Sequence, residues 1–498
     1  MAVYLGIDLG TTGLKSLLVR EDGTICGSGY REYPISIPAP GRAEQDPEDW
    51  WRALRDSLAD AMARSGARAE EVAGIGFSGQ MHGTVVVGAD GEPLCPAIIW
   101  CDQRSAAQAA MVRERIGLET LGRWTQNPVS VGFQLCTLLW LREHCPEIYG
   151  RARCVLLPKD YLRLRLTGLA GTEPSDACST LMFDCAAQDW STPMLSEFGI
   201  DRALLPDARH LATEVQAPLT AKAAAQLGLR PGIPVVYGGG DQPMQAIGNG
   251  ILRPGDASIT LGTGGQIFVP VDKPAYDPQL RTHTFCHAAK DSWYVMGAIL
   301  NCCLAQNWFM DKVLGTRDYA AMHAQAAGAP PGSGGLFFLP YLTGERTPHL
   351  NPEARGAFFG LTLGHDAASM TRAVVEGISY ALADAMACIQ QLDVPIRRLI
   401  VSGGGARSPL WRQILADMLD QPIYATSMTE EAGVGAAICA MVGTGAYPDL
   451  ETACAAIVRC EEGFTAPIPE NTEIYRAGHE TFRALYEAGR PLFARCGQ

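Results

Sequence analysis

The sequence predicts an α/β protein built from two domains of similar topology, on three observations. An apolar strand over residues 3–8, the turn Gly10-Thr11-Thr12-Gly13 and a second apolar strand over residues 14–19 open the chain. The pattern returns 252 residues later, from Thr11 to Thr263: Ile259-Thr260-Leu261-Gly262-Thr263-Gly264-Gly265 repeats Ile7-Asp8-Leu9-Gly10-Thr11-Thr12-Gly13, and an apolar strand follows again. Helical patterns fill the stretches between strands, and 498 residues with 47% apolar content supply two or three cores of ordinary size.

The elements follow in order. The turn Glu21-Asp22-Gly23 leads into a third strand near residues 25–30, which completes an antiparallel meander. Residues 49–65 read as a helix. A short strand over 72–77 enters the loop Ser78-Gly79-Gln80-Met81-His82-Gly83, and residues 84–87 read as another strand. Helices are expected over 104–121, 135–143 and 159–166. A strand at 234–236 then ends in Gly238-Gly239-Gly240-Asp241. Its echo in the second half is the strand 398–401, which runs into Ser402-Gly403-Gly404-Gly405-Ala406. Gly and Pro cluster over 248–255, which places the domains at 1–248 and 249–498.

Composition narrows the function. The net charge is −13 and the basic residues are scattered, so neither nucleic acid nor an anionic membrane is an expected partner. Sixteen Cys lie between Cys26 and Cys496 with no C-x-x-C pair, and Cys302 and Cys303 are adjacent. In a chain this large that pattern predicts reduced, mostly buried thiols in a cytoplasmic protein. Residues 1–10 lack a basic segment, and Asp8 interrupts their apolar run, so no signal peptide is expected. The uncharged stretch 292–310 contains Asn301, Gln306 and Asn307 and reads as a buried strand followed by a helix. Residues 74–79 match G-x-G-x-x-G, but the glycines fall inside a strand pattern where a dinucleotide site needs them at a strand-to-helix turn. No P-loop motif occurs, and His349, His365 and the other histidines show no zinc-ligand spacing.

What remains is a pair of Gly/Thr-rich hairpins. Such turns expose successive backbone N–H groups, and glycine lets an anion approach without a Cβ in the way. One hairpin from each half can clamp phosphates between two domains, and Asp8 is placed to organise Mg²⁺. Asp241, after three glycines at a strand end, can project into the cleft as a proton acceptor or simply cap a helix.

Taken together, residues 6–15, Ser78–Gly83 (SGQMHG), Trp100-Cys101-Asp102-Gln103-Arg104, residues 157–164 (LPKDYLRL), Gly239-Gly240-Asp241-Gln242, residues 261–265 (LGTGG), residues 338–348 (FLPYLTGERTP), residues 356–361 and residues 403–407 resemble the FGGY family of carbohydrate kinases. The resemblance runs from about residue 3 to about residue 443. It implies the actin/hexokinase/heat-shock ATPase fold, two ribonuclease H-like domains around a cleft, with ATP and Mg²⁺ as donor and metal. It further implies Asp241 as the general base and Asp8 as the metal-organising acid. Met81 and His82 become sugar contacts with Gln242 near them, while Asp102 and Arg104 either touch the sugar or form a structural pair that shapes its pocket. Thr11, Thr12, Gly262, Thr263 and Gly264 hold the phosphates, and Gly404, Gly405 and Ala406 receive adenosine. Glu345 and Arg346 are expected to brace the interdomain seam. The SGQMHG loop favours the ketopentose D-xylulose as acceptor; other ketoses or polyols are the alternative, and a chaperone, filament or repressor of the same fold is the more distant one. A sugar, ATP and a second copy of the chain are the partners to expect. Three positions depart from the pattern: Gln242 stands where an Asn is usual, Gly264 where a Ser is usual, and Thr137 where a Lys is expected on a helix surface.

Overall fold

The structure is a computed structural model and describes residues 2–496. The apolar run Val3–Leu9 forms β1, and the turn behind it folds the chain back as β2 (Gly13–Arg20), paired antiparallel from Leu9↔Leu14 to Val3↔Arg20. β3 (Ile25–Glu32) completes the meander. β4 (Val72–Gly79) lies on the other side of β1 and parallel to it, with Asp8 opposite Ser78, and β5 (Pro234–Val236) is parallel beside β4. The sheet order is β3-β2-β1-β4-β5, with Val215–Pro218 as an antiparallel edge.

The second half repeats this. Its strands are β6 (Gly255–Leu261), β7 (Gly265–Val271), β8 (Trp293–Ile299), β9 (Ile396–Ser402) and β10 (Ile423–Ala425). Their order is β8-β7-β6-β9-β10, and the antiparallel and parallel pairings match those of the first sheet. His283–Cys286 adds an antiparallel edge beside β8. Two like sheets are what the repeated hairpin predicts, and their order is the actin-like, ribonuclease H-like architecture that the family resemblance implies.

Helices cover the sheets. α1 (Pro47–Ser65) starts where Asp46 accepts from the Glu48 amide and stops at left-handed Gly66, and its apolar face packs on β2 and β3. The later helices that matter here are α2 (Pro158–Thr167), α3 (Asp241–Gly248), α4 (Ala367–Gln390), α5 (Glu431–Gly443) and α6 (Pro469–Phe493). Among the described residues α4 alone is long and apolar enough to cross a membrane, and 89% of its most apolar window is buried within the second domain.

The first sheet borrows a helix from the second half of the chain. α5 lies on β1 and β4, and two glycines make room for it. A Cβ on Gly6 would stand 2.0 Å from the Gly433 carbonyl oxygen, and one on Gly76 would stand 2.0 Å from that of Ala436. The glycines of the 74–79 motif therefore serve helix packing inside a strand, as their position in a strand pattern suggests. α3 packs on α5, so these two helices form the seam, with Met244, Ile247, Val434, Ala437 and Ile438 in its core.

Two expectations are corrected. The helix expected over 104–121 is two helices, Ala106–Ile116 and Leu118–Trp124, parted at Gly117, whose φ of 73° no helix interior accepts. Thr137 is 1% exposed and lies on no surface. Its helix, Gln134–His144, is buried from Gln134 through Leu141, as its almost continuous apolar run requires.

Candidate active site

Strand register assembles the centre of the site. Asp8, near the carboxyl end of β1, is opposite Ser78 on β4, whose hydroxyl donates to Asp8 Oδ1 at 2.8 Å. On the other side of β4, Gly239 and Gly240 pair with Ser78 and Gly79, and α3 begins at the next residue, Asp241. Asp8 and Asp241 thus flank one strand at the carboxyl ends of the sheet, where open α/β sheets bind ligands. Burial, and then the charge of Asp8, push Asp241 up to about 7. Burial also raises Asp8, against the pull of Ser78 and Lys15. Two crowded carboxylates with free oxygen lone pairs are a donor set that suits a hard divalent cation.

The LPKDYLRL segment holds these groups in place. Lys159, at the start of α2, is fully buried against Asp160, Glu173 and Asp176, and Arg163 is paired to Asp160. Burial disfavours the Lys159 ammonium, but the three carboxylates outweigh it and raise its pKa. Glu173 then caps the helical turn Pro174–Ala177 by accepting from the Ser175 and Asp176 amides. Ser175 Oγ accepts from Gly240 N at 3.2 Å, directly before Asp241. Ser179 accepts from His82 twice, at Oγ from the backbone N–H and at its carbonyl from Nδ1 at 2.8 Å. Since a carbonyl only accepts, Nδ1 carries the proton and Nε2 offers a lone pair. Burial, helped by the charge of Arg346, lowers His82 to about 4, so the ring is neutral. It stacks on Phe133 at 4.3 Å with its backbone in the left-handed region, φ 72°. Met81 is buried against Gly240. Of these supporting residues the sequence marks only Lys159, which falls in the LPKDYLRL motif; Glu173, Ser175 and Ser179 carry no signal there.

Both Gly/Thr turns direct their oxygens inward. Tyr33, Gln45 and Trp100 donate to Gly10 O, Thr11 O and Thr11 Oγ1. In the second turn the Cys303 amide donates to Gly262 O, and the Cys302 and Leu304 amides donate to Thr263 O. The N–H groups of Thr11, Thr12, Thr263 and Gly264 have no acceptor among the described residues. Beyond β9, Gly403 has φ 83°, and a Cβ there would meet Leu261 O at 2.7 Å, so only glycine fits. The turn it starts separates two cavities of about 380 and 430 Å³. The first is lined by Gln306, His323, Gly404 and Gly405, and Gln306 Oε1 and His323 Nδ1 are buried without partners. Ala406 borders the second.

Other residues singled out in the sequence take different places. Asp102 and Arg104 bind each other bidentately, with Asp102 also accepting from Ala43 N and Arg104 donating to Glu44. Arg104 engages Asp102 and Glu44 through Nε and Nη2, so the two residues form an ion pair within the fold. Gln242 follows Asp241 in the first turn of α3, half-buried. Cys178, Cys185 and Cys286 meet, with their sulfur atoms within 4.8 Å, although nothing in their spacing announces it. Each sulfur lies 3.2–3.6 Å from a backbone carbonyl to which its thiol can donate.

Each half presents turn amides without an acceptor among the described residues, and two carboxylates stand at the strand ends of the first sheet. The chain belongs to the FGGY family of carbohydrate kinases: the family's N-terminal domain matches residues 3–248 and its C-terminal domain matches residues 257–444. It is 36% identical to a xylulose kinase of Escherichia coli over 99% of this chain and all of that one. A gluconokinase of Bacillus subtilis is 31% identical over 89% of this chain and 87% of its own length. The ligand-bound crystal structure of a xylulose kinase from Lactobacillus acidophilus superposes with a TM-score of 0.94 at 26% identity, covering both chains fully. The chain is a sugar kinase that uses ATP as phosphoryl donor.

Proposed function

We propose that the chain transfers the γ-phosphoryl group of ATP to the terminal hydroxyl of D-xylulose, giving D-xylulose 5-phosphate, with residues 1–248 carrying the sugar and residues 249–498 the nucleotide. The observation that carries the reading is Asp241, a carboxylate at a strand-end helix start, held near neutral acidity beside Asp8. At that pKa it takes the proton of the sugar hydroxyl as the bond to phosphorus forms. His82 Nε2 accepts from a sugar hydroxyl, Met81 packs beside it, and Gln242 offers an amide next to the base. The amides of Thr11, Thr12, Thr263 and Gly264 donate to phosphate oxygens. Gly262 opens the second turn, and adenosine lies against Gly404, Gly405 and Ala406. Mg²⁺, when bound, neutralises phosphate charge; Asp8, with Asp241 nearby, is the group that would hold it. Because the two sets of amides stand in different halves, sugar binding closes the cleft and excludes water. The free, reduced thiols suit the cytoplasm.

A coupled ADP-release assay across pentuloses, gluconate and polyols tests the assignment. D-xylulose is expected to have the highest kcat/KM, with ribulose and glycerol about tenfold or more below it, because misplaced hydroxyls leave buried polar groups unpaired. A better rate with gluconate, ribulose or glycerol would remove D-xylulose while leaving the sugar kinase.

A further inference from the structure

Three thiols meet where the two halves of the chain touch. Cys178 opens the helical turn Cys178–Thr180, Cys185 directly follows the short strand Phe183–Asp184, and Cys286 ends the edge strand His283–Cys286. The first two belong to the family's N-terminal domain and the third to its C-terminal one. Their sulfur atoms all lie within 4.8 Å of one another, and among the described residues no other three His, Cys, Asp or Glu side chains bring ligand atoms so close. Each residue is at most 1% exposed. Three soft ligands at the corners of a triangle suit one thiophilic centre of low coordination number.

The surroundings prepare one sulfur to react. Asn127 Nδ2, held by Thr284 O at 2.6 Å, also donates to Cys185 Sγ at 3.7 Å, which favours a thiolate there. Burial opposes charge on Cys185, but hydrogen bonds from Cys178 and Cys286 outweigh it and lower its thiol to about 6. The exposed residues Ala186 and Ala187 follow Cys185 directly, so the cluster lies one residue beneath the surface. Charge then selects the ligand. Met182, Phe183, Phe285 and Tyr294 belong to the same apolar core. Glu173 and Asp176, buried just before Cys178, already share Lys159 at 3.4 and 3.2 Å. A divalent ion on three thiolates would leave an unbalanced negative charge in this core, whereas a trivalent centre leaves none.

We infer that Cys178, Cys185 and Cys286 form a binding site for a trivalent thiophilic metalloid, with arsenous acid as the ligand, and that the bound arsenic bridges the two halves of the chain. Cys185 attacks first, and Cys178 and Cys286 follow. Three S–H and three As–O bonds break, three As–S and three O–H bonds form, and three waters leave. Arsenic stays trivalent, so no oxidant or reductant takes part, and three-coordinate arsenic needs no fourth ligand. The site requires neither the sugar nor the nucleotide.

The test uses the full-length protein, reduced with a phosphine and loaded with sodium arsenite. Native mass spectrometry should show one arsenic gained and three hydrogens lost per chain, with circular dichroism unchanged. Arsenic X-ray absorption on the wild type should show sulfur neighbours and no oxygen. Cys185→Ala should weaken arsenite binding by about 10²-fold, because one of three linked bonds is gone, and the arsenic it still binds should keep one oxygen. Replacing the exposed Cys460 and Cys496 by Ser should leave uptake unchanged. Zinc in about tenfold excess should not displace the arsenic. An oxygen neighbour in the wild-type spectrum overturns the inference, and that measurement needs no variant to fold. So do loss of the wild-type fold on loading, an unchanged affinity in Cys185→Ala, uptake that falls with Cys460 and Cys496, and displacement by zinc.

Discussion

At the end of β1 stands Asp8, facing the Ser78 hydroxyl on β4; at the matching position of β6 stands Thr260, facing the Ser402 hydroxyl on β9. The strands, the registers and the free amides of the turns are otherwise alike, so the two halves differ chiefly in charge. Thr260 also donates to Gln245 Oε1 on α3, one turn beyond Asp241, which ties the second hairpin to the helix that carries the acid. One half thus supplies charge, and the other supplies neutral hydrogen bonds and anchorage. Carboxylates in both turns would repel the same phosphates. A duplicated scaffold can serve a charged nucleotide and a neutral sugar at once because its two copies diverge at this strand-end position.

The strongest test of this comparison removes the acid beside the first turn. Asp241→Asn should lower kcat by about 10²–10⁴ while ATP still binds, as read by turnover and by nucleotide calorimetry. An asparagine variant within a few-fold of wild type would end the role of Asp241 as base. Next, Asp8→Thr gives the first half the residue of the second, and we expect kcat to fall by about 10² through lost electrostatic organisation. It should also move the acid limb of the pH profile lower, since Asp8 contributes to raising Asp241.

In the wild type, kcat/KM should fall about tenfold per pH unit below about 7, because Asp241 must lose its proton to act as base. The sign for stability is opposite. A carboxyl whose folded pKa is raised stabilises the fold in its protonated form, so this contribution is present at acid pH and is lost as pH rises from the ordinary carboxylate range through 7. Thermal unfolding across that range measures it. The smallest effect is expected from Thr260→Asp, which places a second acid near the nucleotide. KM for ATP should rise severalfold, and kcat with saturating ATP should change less. An unchanged KM would mean that the two turns do not share the phosphates.

Much of this protein is legible in local sequence. The repeated Gly/Thr hairpin announces two like domains because a strand–turn–strand unit needs only its own residues to form, and Asp8, Met81, His82 and Asp241 lie on loops or strand ends that the same local signals mark. Other features depend on distant partners. Thr137 is buried because its helix has neighbours on every side, and the glycines at 74 and 76 face a helix more than 350 residues away in sequence. Residues such as Lys159, Glu173, Ser175 and Ser179 hold Asp241 and His82 only once two segments meet.

The sequence by itself determines the strand–turn–strand hairpin that opens each half, the glycine turns that expose amides and the positions of Asp8 and Asp241 at strand ends, since each follows from periodicity and from glycine's freedom within a few residues. Tertiary structure alone decides that α5 covers the sheet of the other half, that three cysteines meet, and that Asp102 and Arg104 pair with each other. Burial, ion pairing and pKa depend on what lies within a few ångströms in space, and no spacing along the chain encodes that.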